Sequence, residues 1–394
     1  MVGFAVFLIA NIPSIEFFLP GSFLVNIGFA GVLFFCGFSR RVVKNDFALR
    51  LSSSVKLFLF LLVSFVLYGQ ISVFISFQYI DDYVFLQWLK YLYIVAVSAL
   101  ILIFAEKQDI KIFVVSQALW GAFVAVMSIA HILEYSGTQH YNTVATPIGA
   151  SLIMFFSYAT FAKSRVRGLL LACPFIMLLL LALISLPSRS ALLFTTTVIS
   201  LITLVDIYYT HSLSGRVLKI SIYLMIGFLF FYCCQNSGLS ARMYRIRMHR
   251  LFSEIGTEPR VPLLLDTVYK IIDNPLGYGL GSSMRLVGYY PHNMFLESLL
   301  EFGILPTTFF FLIAAVYPAC LCIWALRNKD LLLLPVIALV AYLFLIFNTS
   351  YSVAHMYMYF SILSLAMAHQ NLALSHTKRK RAGMVWASTA KPLL

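Results

Sequence analysis

The chain has 394 residues, and 61% of them are hydrophobic while only 11% are charged. Soluble domains are about half apolar and about a quarter charged, so this composition excludes a soluble globular protein. The apolar residues form continuous runs rather than alternating patterns, which excludes a β-barrel. The net charge of +13 does not indicate nucleic-acid binding, because most of the basic residues lie in short loops between the apolar runs.

In chain order, the apolar runs predict an all-α polytopic membrane protein with about twelve transmembrane helices. A run of about 18 or more residues can cross a hydrocarbon core of about 30 Å. Nine helices are expected within 1–234, a long extracytoplasmic loop within 235–302, three helices within 303–373, and a basic cytoplasmic tail within 374–394. The predicted spans are 2–18, 21–38, 55–78, 84–105, 111–133, 146–162, 168–186, 190–209, 218–234, 303–325, 331–348 and 354–373.

The basic residues orient these spans. With both termini in the cytoplasm, most of the 28 Lys and Arg residues fall in inside segments, as the positive-inside rule requires. The short outside loops then hold only Arg189, and Lys90 lies within the fourth span. Long loops escape the charge rule, so the partly helical segment 235–302 is expected outside. A loop of that length is usually functional.

Two basic residues near the outer ends of spans need an explanation, because a charge within a membrane costs roughly 2.5–3.5 kcal/mol. Lys90 lies about 9 Å into its span at 1.5 Å per residue. It either snorkels to the outer surface between Trp88 and Tyr91 or contacts an anionic head group. Arg189, in the turn LPSRSALL, is either a solvated loop residue or a binding group at the lipid–water boundary.

The long loop begins with a basic cluster, SARMYRIRMHR, that contains Arg242 and Arg245. Arginine binds phosphate bidentately and stays charged, so the cluster predicts a diphosphate contact. The alternative is an amphipathic segment that lies on anionic lipid head groups. That alternative suits Arg260 less, because this residue stands in its own short turn, TEPRVP. A short helix is then predicted over 261–273, and a glycine-rich turn over 274–283.

The stretch YYPHNMFLESLLEFG predicts a second loop helix, with Pro291 near its first turn. His292 is either a structural residue, such as a helix cap, or a general base. A neutral imidazole suits the second role because it can take a proton from a hydroxyl near neutral pH. Asn293 and Glu297, one turn apart, could orient an acceptor or the imidazole; helix-cap and helix-surface roles are the alternatives.

Attack of a sugar hydroxyl on an anomeric carbon needs a base on the hydroxyl and charge stabilisation on a departing diphosphate. Magnesium held by carboxylates often provides the stabilisation. The outer face offers carboxylates but no DxD pair, and arginines can replace the metal, so no metal or cofactor is expected. Asp81 and Asp82, in QYIDDY, are the one place where a cation could still be argued.

These residues resemble the motif set of the O-antigen ligase/polymerase superfamily of bacterial envelope glycosyltransferases. The resemblance covers about 185–305, and the rest of the chain agrees only in span count and hydropathy. One departure is the leucine run 263–265, where family members often have a tryptophan. The matching features are, in order, Ser188 and Arg189 in a turn, Arg260 before a helix, the run from Asn274 to Gly281, Pro291-His292-Asn293, and Gly303.

The resemblance implies a metal-independent, inverting C-type glycosyltransferase in a bacterial inner membrane, with its active site facing the periplasm. It carries acceptor activation over to His292. The expected substrates are a donor and an acceptor glycan, both linked to polyprenyl diphosphate in the bilayer, and a partner protein could regulate chain length. No nucleic acid is expected. The candidate diphosphate ligands are Arg189, Arg260, Arg242, Arg245 and Lys90.

Three functions are compatible with these features. The leading hypothesis is an O-antigen (surface polysaccharide) polymerase, which joins lipid-linked repeat units in lipopolysaccharide biosynthesis. The alternative within the same class is an O-antigen ligase, which transfers the finished glycan to lipid A core. A polysaccharide transporter or flippase fits less well, because it predicts charged groups near the bilayer midplane and two related halves. The functional-looking residues instead gather at the outer face.

Overall fold

A computed structural model gives the fold, and its regular elements in the described residues are all helical. It describes residues 2–18, 23–44, 51–75, 82–130, 141–161, 165–186, 188–210, 212–217, 219–221, 228, 232 and 260–389. The helices are α1 (Val2–Ala10), α2 (Ile12–Phe18), α3 (Phe23–Lys44), α4 (Ser53–Ile75), α5 (Asp82–Phe104), α6 (Lys107–Ile129), α7 (Tyr141–Phe161), α8 (Arg165–Ser185), α9 (Arg189–Tyr208), α10 (Arg260–Asp273), α11 (Ser282–Val287), α12 (Met294–Phe302), α13 (Ile304–Phe311), α14 (Tyr317–Asn328), α15 (Leu334–Phe347) and α16 (Tyr357–Thr389).

Six of the helical segments are long and apolar enough to cross a membrane, which supports the all-α membrane class. They are Ser53–Ser72, Asp82–Phe104, Lys107–Ile129, Asn142–Phe161, Ser190–Tyr208 and Ile304–Asn328. Leu170–Ser185 and Leu334–Phe347 are shorter apolar helices. The predicted span 218–234 lies almost wholly outside the described residues. The fold is therefore a bundle of apolar helices, and the total of twelve spans stays a prediction.

The segment of the first predicted span, 2–18, forms two helices, α1 and α2, with a turn at Asn11 between them. Pro13 is the second residue of α2, a position that suits proline because no helical hydrogen bond is lost there. The side-chain nitrogen of Asn11 donates to the carbonyl of Phe7 at 2.9 Å and to Oε1 of Gln117 at 2.6 Å. The break therefore has its own buried hydrogen bonds within the bundle.

Polar contacts join several of the segments that are predicted to be cytoplasmic. Arg40, near the end of α3, pairs with Asp109 at 2.9 Å, and Asp330 pairs with His369 of α16 at 2.9 Å. The N–H of Ser52, between α3 and α4, donates to an asparagine of α16. These contacts join the α3–α4 loop, the start of α6 and the α14–α15 turn. We refer to the end of the bundle with these contacts as the ion-pair end.

An aromatic cluster fixes α12 and α13 against the transmembrane helices. The ring of Phe65 in α4 lies 5.4 Å from that of Phe302, 4.9 Å from that of Phe310 and 6.1 Å from that of Tyr91. All four side chains are buried. Burial of such rings gives both hydrophobic stabilisation and a defined geometry. The predicted loop helix α12 is consequently packed onto α4 and α5.

Candidate functional site

The helix α5 carries a polar stripe at the end of the bundle away from the ion pairs. Tyr83, Gln87 and Lys90 follow at spacings of four and three, which puts them on one face. Gln87 is buried, while Tyr83 and Lys90 are half-buried. Nζ of Lys90 lies 3.5 Å from Nε2 of His355, at the outer limit of a hydrogen bond. The ammonium group of Lys90 therefore lies beside the imidazole of His355.

The loop between α15 and α16, residues 348–356, meets several helices at this end, and we call it the junction loop. Oγ of its Ser350 lies 3.3 Å from Oγ of Ser190, the residue after Arg189. The hydroxyl of Tyr351 lies 3.5 Å from Oγ1 of Thr146 in α7. The junction loop thereby brings the start of α9 and the start of α7 to the same region as the polar stripe.

Glu297 joins the junction loop to α12. Its carboxylate accepts hydrogen bonds from Oγ of Ser352 and, at 3.1 Å, from the N–H of Val353. Glu297 is only 3% exposed, so these bonds are shielded from water. A buried carboxylate with two donors is a strong local tie. The contacts seen here hold the loop to the helix, which is a different task from the predicted orientation of an acceptor.

His292 lies just before α12 in a left-handed conformation, with φ of 54°. Such a value is uncommon for a residue other than glycine, and strained positions of this kind cluster at functional sites. The imidazole ring is 5.0 Å from the ring of Tyr289 and 4.8 Å from that of Tyr290. Oδ1 of Asn293 accepts from the N–H groups of Phe295 and Leu296, so the structure gives Asn293 the cap role. His292 is half-buried.

The glycine-rich turn braces the far end of α12. The N–H groups of Tyr278 and Gly279 donate to the carbonyls of Leu300 and Glu301 at 2.9 and 2.8 Å. Gly277 has φ of 88°, and a Cβ there would lie 2.6 Å from the nitrogen of Gly303. Only glycine permits both the conformation and the close approach. The Asn274 to Gly281 run therefore acts on the position of α12 through its backbone.

Glu301 fixes the next turn of the same loop. It is 3% exposed, and it accepts a hydrogen bond from Oγ of Ser283 at 2.7 Å and bonds from the backbone of Gly281 and Ser283. These donors belong to the first turn of α11, where a carboxylate is favoured by the helix dipole. Glu297 and Glu301 thus tie two separate segments to one face of α12.

Burial controls the ionisation of this region. It raises the pKa of Glu297, and the charge of nearby Glu301 raises it further. Burial likewise raises the pKa of Glu301 and that of the Tyr290 phenol. Burial and the positive charge of Lys90 lower the pKa of His355 to about 3, so its imidazole is neutral at neutral pH. The site combines a neutral histidine, a lysine and two carboxyl groups that hold protons more readily than usual.

The predicted arginines are located only in part. Arg189 is the first residue of α9, where Ser188 caps the helix by accepting from the N–H of Ala191 at 3.3 Å. Arg260 is the first residue of α10, which packs against α12. The side chains of Arg189 and Arg260 lie outside the described residues. Arg242, Arg245 and Asp81 also lie outside them, and Asp82 is an exposed residue at the start of α5.

The junction loop is the part of the site that sequence reasoning missed. Its polar residues stand between two apolar spans in NTSYSVAH, 348–355, and that composition was the available signal. The contacts themselves, from His355 to Lys90 and from Ser352 to Glu297, join residues far apart in the chain. Of the predicted site residues, the structure brings together Lys90, Glu297 and the start of α9, which carries Arg189.

No protein-family model and no curated protein matches the chain. Within the ranges that the structure describes, no three His, Cys, Asp or Glu side chains group closely enough to hold a metal ion. The functional argument therefore rests on the residues of the motif end, by which we mean the polar stripe, the junction loop and the start of α12.

Proposed function

We propose that the protein is a surface-polysaccharide (O-antigen) polymerase. It would join oligosaccharide repeat units carried on polyprenyl diphosphate at the periplasmic face of a bacterial inner membrane. The observation that carries the proposal is the convergence at one end of the bundle. The junction loop contacts Lys90 through His355 and the start of α9, which carries Arg189, through Ser350. It also contacts α12, the helix that follows His292, through the bond from Ser352 to Glu297.

The chemistry that this arrangement supports is an inverting glycosyl transfer. His292 takes the proton of an acceptor hydroxyl, whose oxygen forms a bond to the anomeric carbon of the donor. The bond from that carbon to the diphosphate oxygen breaks, and the electron pair leaves with the lipid diphosphate. Arg189 and Arg260 stabilise the developing charge by paired hydrogen bonds, which guanidinium groups make well.

The position of His292 supports its role as the base. It lies at the start of a helix that three separate ties hold in place: the glycine-rich turn, Glu301 and Glu297. A catalytic group needs such a fixed backbone, because a displacement of about 1 Å can cost on the order of 100-fold in rate. The neighbouring rings of Tyr289 and Tyr290 would limit the orientations of the imidazole.

The polymerase and the ligase differ in the acceptor, so the glycan profile of a strain lacking the protein separates them. A polymerase deletion leaves a single repeat attached to lipid A core and removes the ladder of longer chains. A ligase deletion leaves the core without glycan, while polymer accumulates on its lipid carrier. Vectorial movement of lipid-linked glycan without new glycosidic bonds would instead indicate a transporter, and normal glycans would contradict all three functions.

A further inference from the structure

Two buried glutamines near the motif end carry side-chain amide atoms that have no hydrogen-bond partner in the part of the chain that the structure describes. Gln70 in α4 is 8% exposed and Gln87 in α5 is 7% exposed. Within the described residues, Nε2 and Oε1 of Gln70 form no hydrogen bond. Oε1 of Gln87 likewise accepts none there. Burial of an amide atom without a partner is costly, so such groups in a folded protein require a reason.

The two glutamines lie at the same level of the bundle. Six residues join α4 to α5, and they reach at most about 25 Å, less than the roughly 35 Å length of a 23-residue helix. The two helices are therefore antiparallel. Phe65 of α4 faces Tyr91 of α5, with ring centroids 6.1 Å apart. Gln70 follows Phe65 by five residues in α4, and Gln87 precedes Tyr91 by four residues in α5. Because the helices are antiparallel, both glutamines lie at about the same height along the bundle.

Polar and aromatic side chains lie between Gln87 and His292. Gln87 is hydrogen-bonded to Tyr83, and Tyr83 is close enough to Glu297 and Tyr290 to interact with both electrostatically. The ring of Tyr290 is in turn 4.8 Å from the imidazole of His292. A group bound against the α5 stripe would thus reach from Gln87 toward His292.

We propose that Gln70 and Gln87 form a saccharide subsite that binds the hydroxyl groups of the sugar next to the reacting bond. This inference rests on the proposed function and names the part of the site that recognises the glycan. A hydroxyl both donates and accepts, and a glutamine amide offers a donor and an acceptor side by side. The stacked rings of Tyr289 and Tyr290, 4.7 Å apart, supply apolar faces on which a sugar ring can pack.

Another buried glutamine of this protein shows the contrasting, structural case. Gln117 in α6 is 2% exposed, and its amide exchanges hydrogen bonds with Asn11 at 2.6 and 3.3 Å. The fold therefore satisfies a buried amide where the amide serves only the fold. Gln117 is a matched control for Gln70 and Gln87, because it is the same residue type, equally buried and in a neighbouring apolar helix.

The test compares Gln70→Leu, Gln87→Leu and Gln117→Leu in the full chain, purified and placed in lipid nanodiscs. The probe is the soluble oligosaccharide that mild acid releases from the host's own lipid-linked repeat unit. Replacing an unsatisfied buried amide by an apolar group of similar shape is nearly neutral or stabilising. We therefore expect Gln70→Leu to keep or raise the melting temperature. Gln87→Leu also removes the bond to Tyr83, so it should lower the melting temperature, but by less than Gln117→Leu does. Each of the two variants should weaken oligosaccharide binding by roughly 3- to 10-fold, the effect of one lost hydrogen bond.

Gln117→Leu should affect stability alone, because it leaves Asn11 without its partner: the melting temperature falls and binding by the folded protein is unchanged. Melting temperatures of Gln70→Leu and Gln87→Leu that fall as far as that of the control would overturn the proposal, as would unchanged binding in both variants. The proposed function is tested separately with intact lipid-linked repeats, because the released oligosaccharide has lost the diphosphate leaving group and cannot be a donor. Binding of the oligosaccharide without chain growth from lipid-linked repeats would retain the subsite and refute the polymerase, whereas chain growth with unchanged binding in the variants would do the reverse.

Discussion

Removal of the Glu297 carboxylate should loosen the motif end by a measurable amount. Glu297→Ala leaves the hydroxyl of Ser352 and the N–H of Val353 without their acceptor. Both donors are buried, and each unsatisfied group costs about 1–3 kcal/mol, so we expect a loss of about 2–6 kcal/mol in stability. Ser352→Ala removes one of the two bonds to Glu297, together with the bond that the N–H of Ala354 donates to the Ser352 hydroxyl at 3.3 Å, and should cost less than Glu297→Ala. Glu297→Gln keeps an acceptor oxygen and the side-chain shape, and should cost below about 1 kcal/mol.

The assay is thermal unfolding of the detergent-solubilised protein, followed by intrinsic fluorescence over a range of pH. Burial raises the pKa of Glu297 above its ordinary value of 4.5, so the folded state holds this proton where the unfolded state releases it. Stability is then greatest below the ordinary value and declines as pH rises through the raised one. Glu297→Gln should flatten this decline. A Glu297→Ala variant as stable as wild type, or an unchanged pH slope in Glu297→Gln, would refute the reasoning.

Three further predictions address the diphosphate site, the metal and the topology. Arg189→Lys and Arg260→Lys should each reduce polymerisation at least 10-fold, because lysine keeps the charge but loses the planar group that binds two phosphate oxygens. Arg242→Lys and Arg245→Lys should be milder if those residues only contact lipid head groups, where the charge alone matters. Equal tolerance at all four positions removes the case for a specific diphosphate site. Excess EDTA should leave the purified protein active on lipid-linked repeats, and loss of activity that magnesium restores would transfer the charge-stabilising role to a cation. A cysteine introduced at residue 290 should react with an impermeant thiol reagent in intact spheroplasts, while one introduced within 378–381 should not; the reverse pattern contradicts the proposed orientation.

The helices were the most predictable part of the structure, because apolar runs need only composition and length to be recognised. The predicted span 84–105 corresponds to α5 at Asp82–Phe104, and the helix predicted over 261–273 corresponds to α10. The glycine-rich turn also lies where expected, since its positive φ values require glycine. Pro13 and Glu16 indicate an interruption of the first span, but they do not place the break at Asn11, whose side chain bonds to Gln117 of another helix.

The site was less predictable, because its contacts are tertiary. The sequence leaves Glu297 either a role in orienting the acceptor or the imidazole or a helix-surface role, whereas its carboxylate bonds to the junction loop 55 residues later in the chain. Lys90 was expected to face lipid or a head group, and it lies beside His355, 265 residues away. Neither spacing carries a signal in a single sequence. The order of the motifs can be predicted from the sequence. The loop that contacts them cannot, because it depends on how α15 and α16 pack.

The central claim is that His292 removes the proton of the acceptor during chain growth. The most direct test is single-turnover extension of a radiolabelled lipid-linked repeat by the purified protein in nanodiscs, comparing wild type with His292→Gln. Glutamine keeps a hydrogen-bonding group but cannot accept the proton at neutral pH. The account predicts a ladder of products for wild type and, for His292→Gln at an unchanged melting temperature, a rate lower by about 10²–10⁴-fold. Extension by His292→Gln at near the wild-type rate would contradict it.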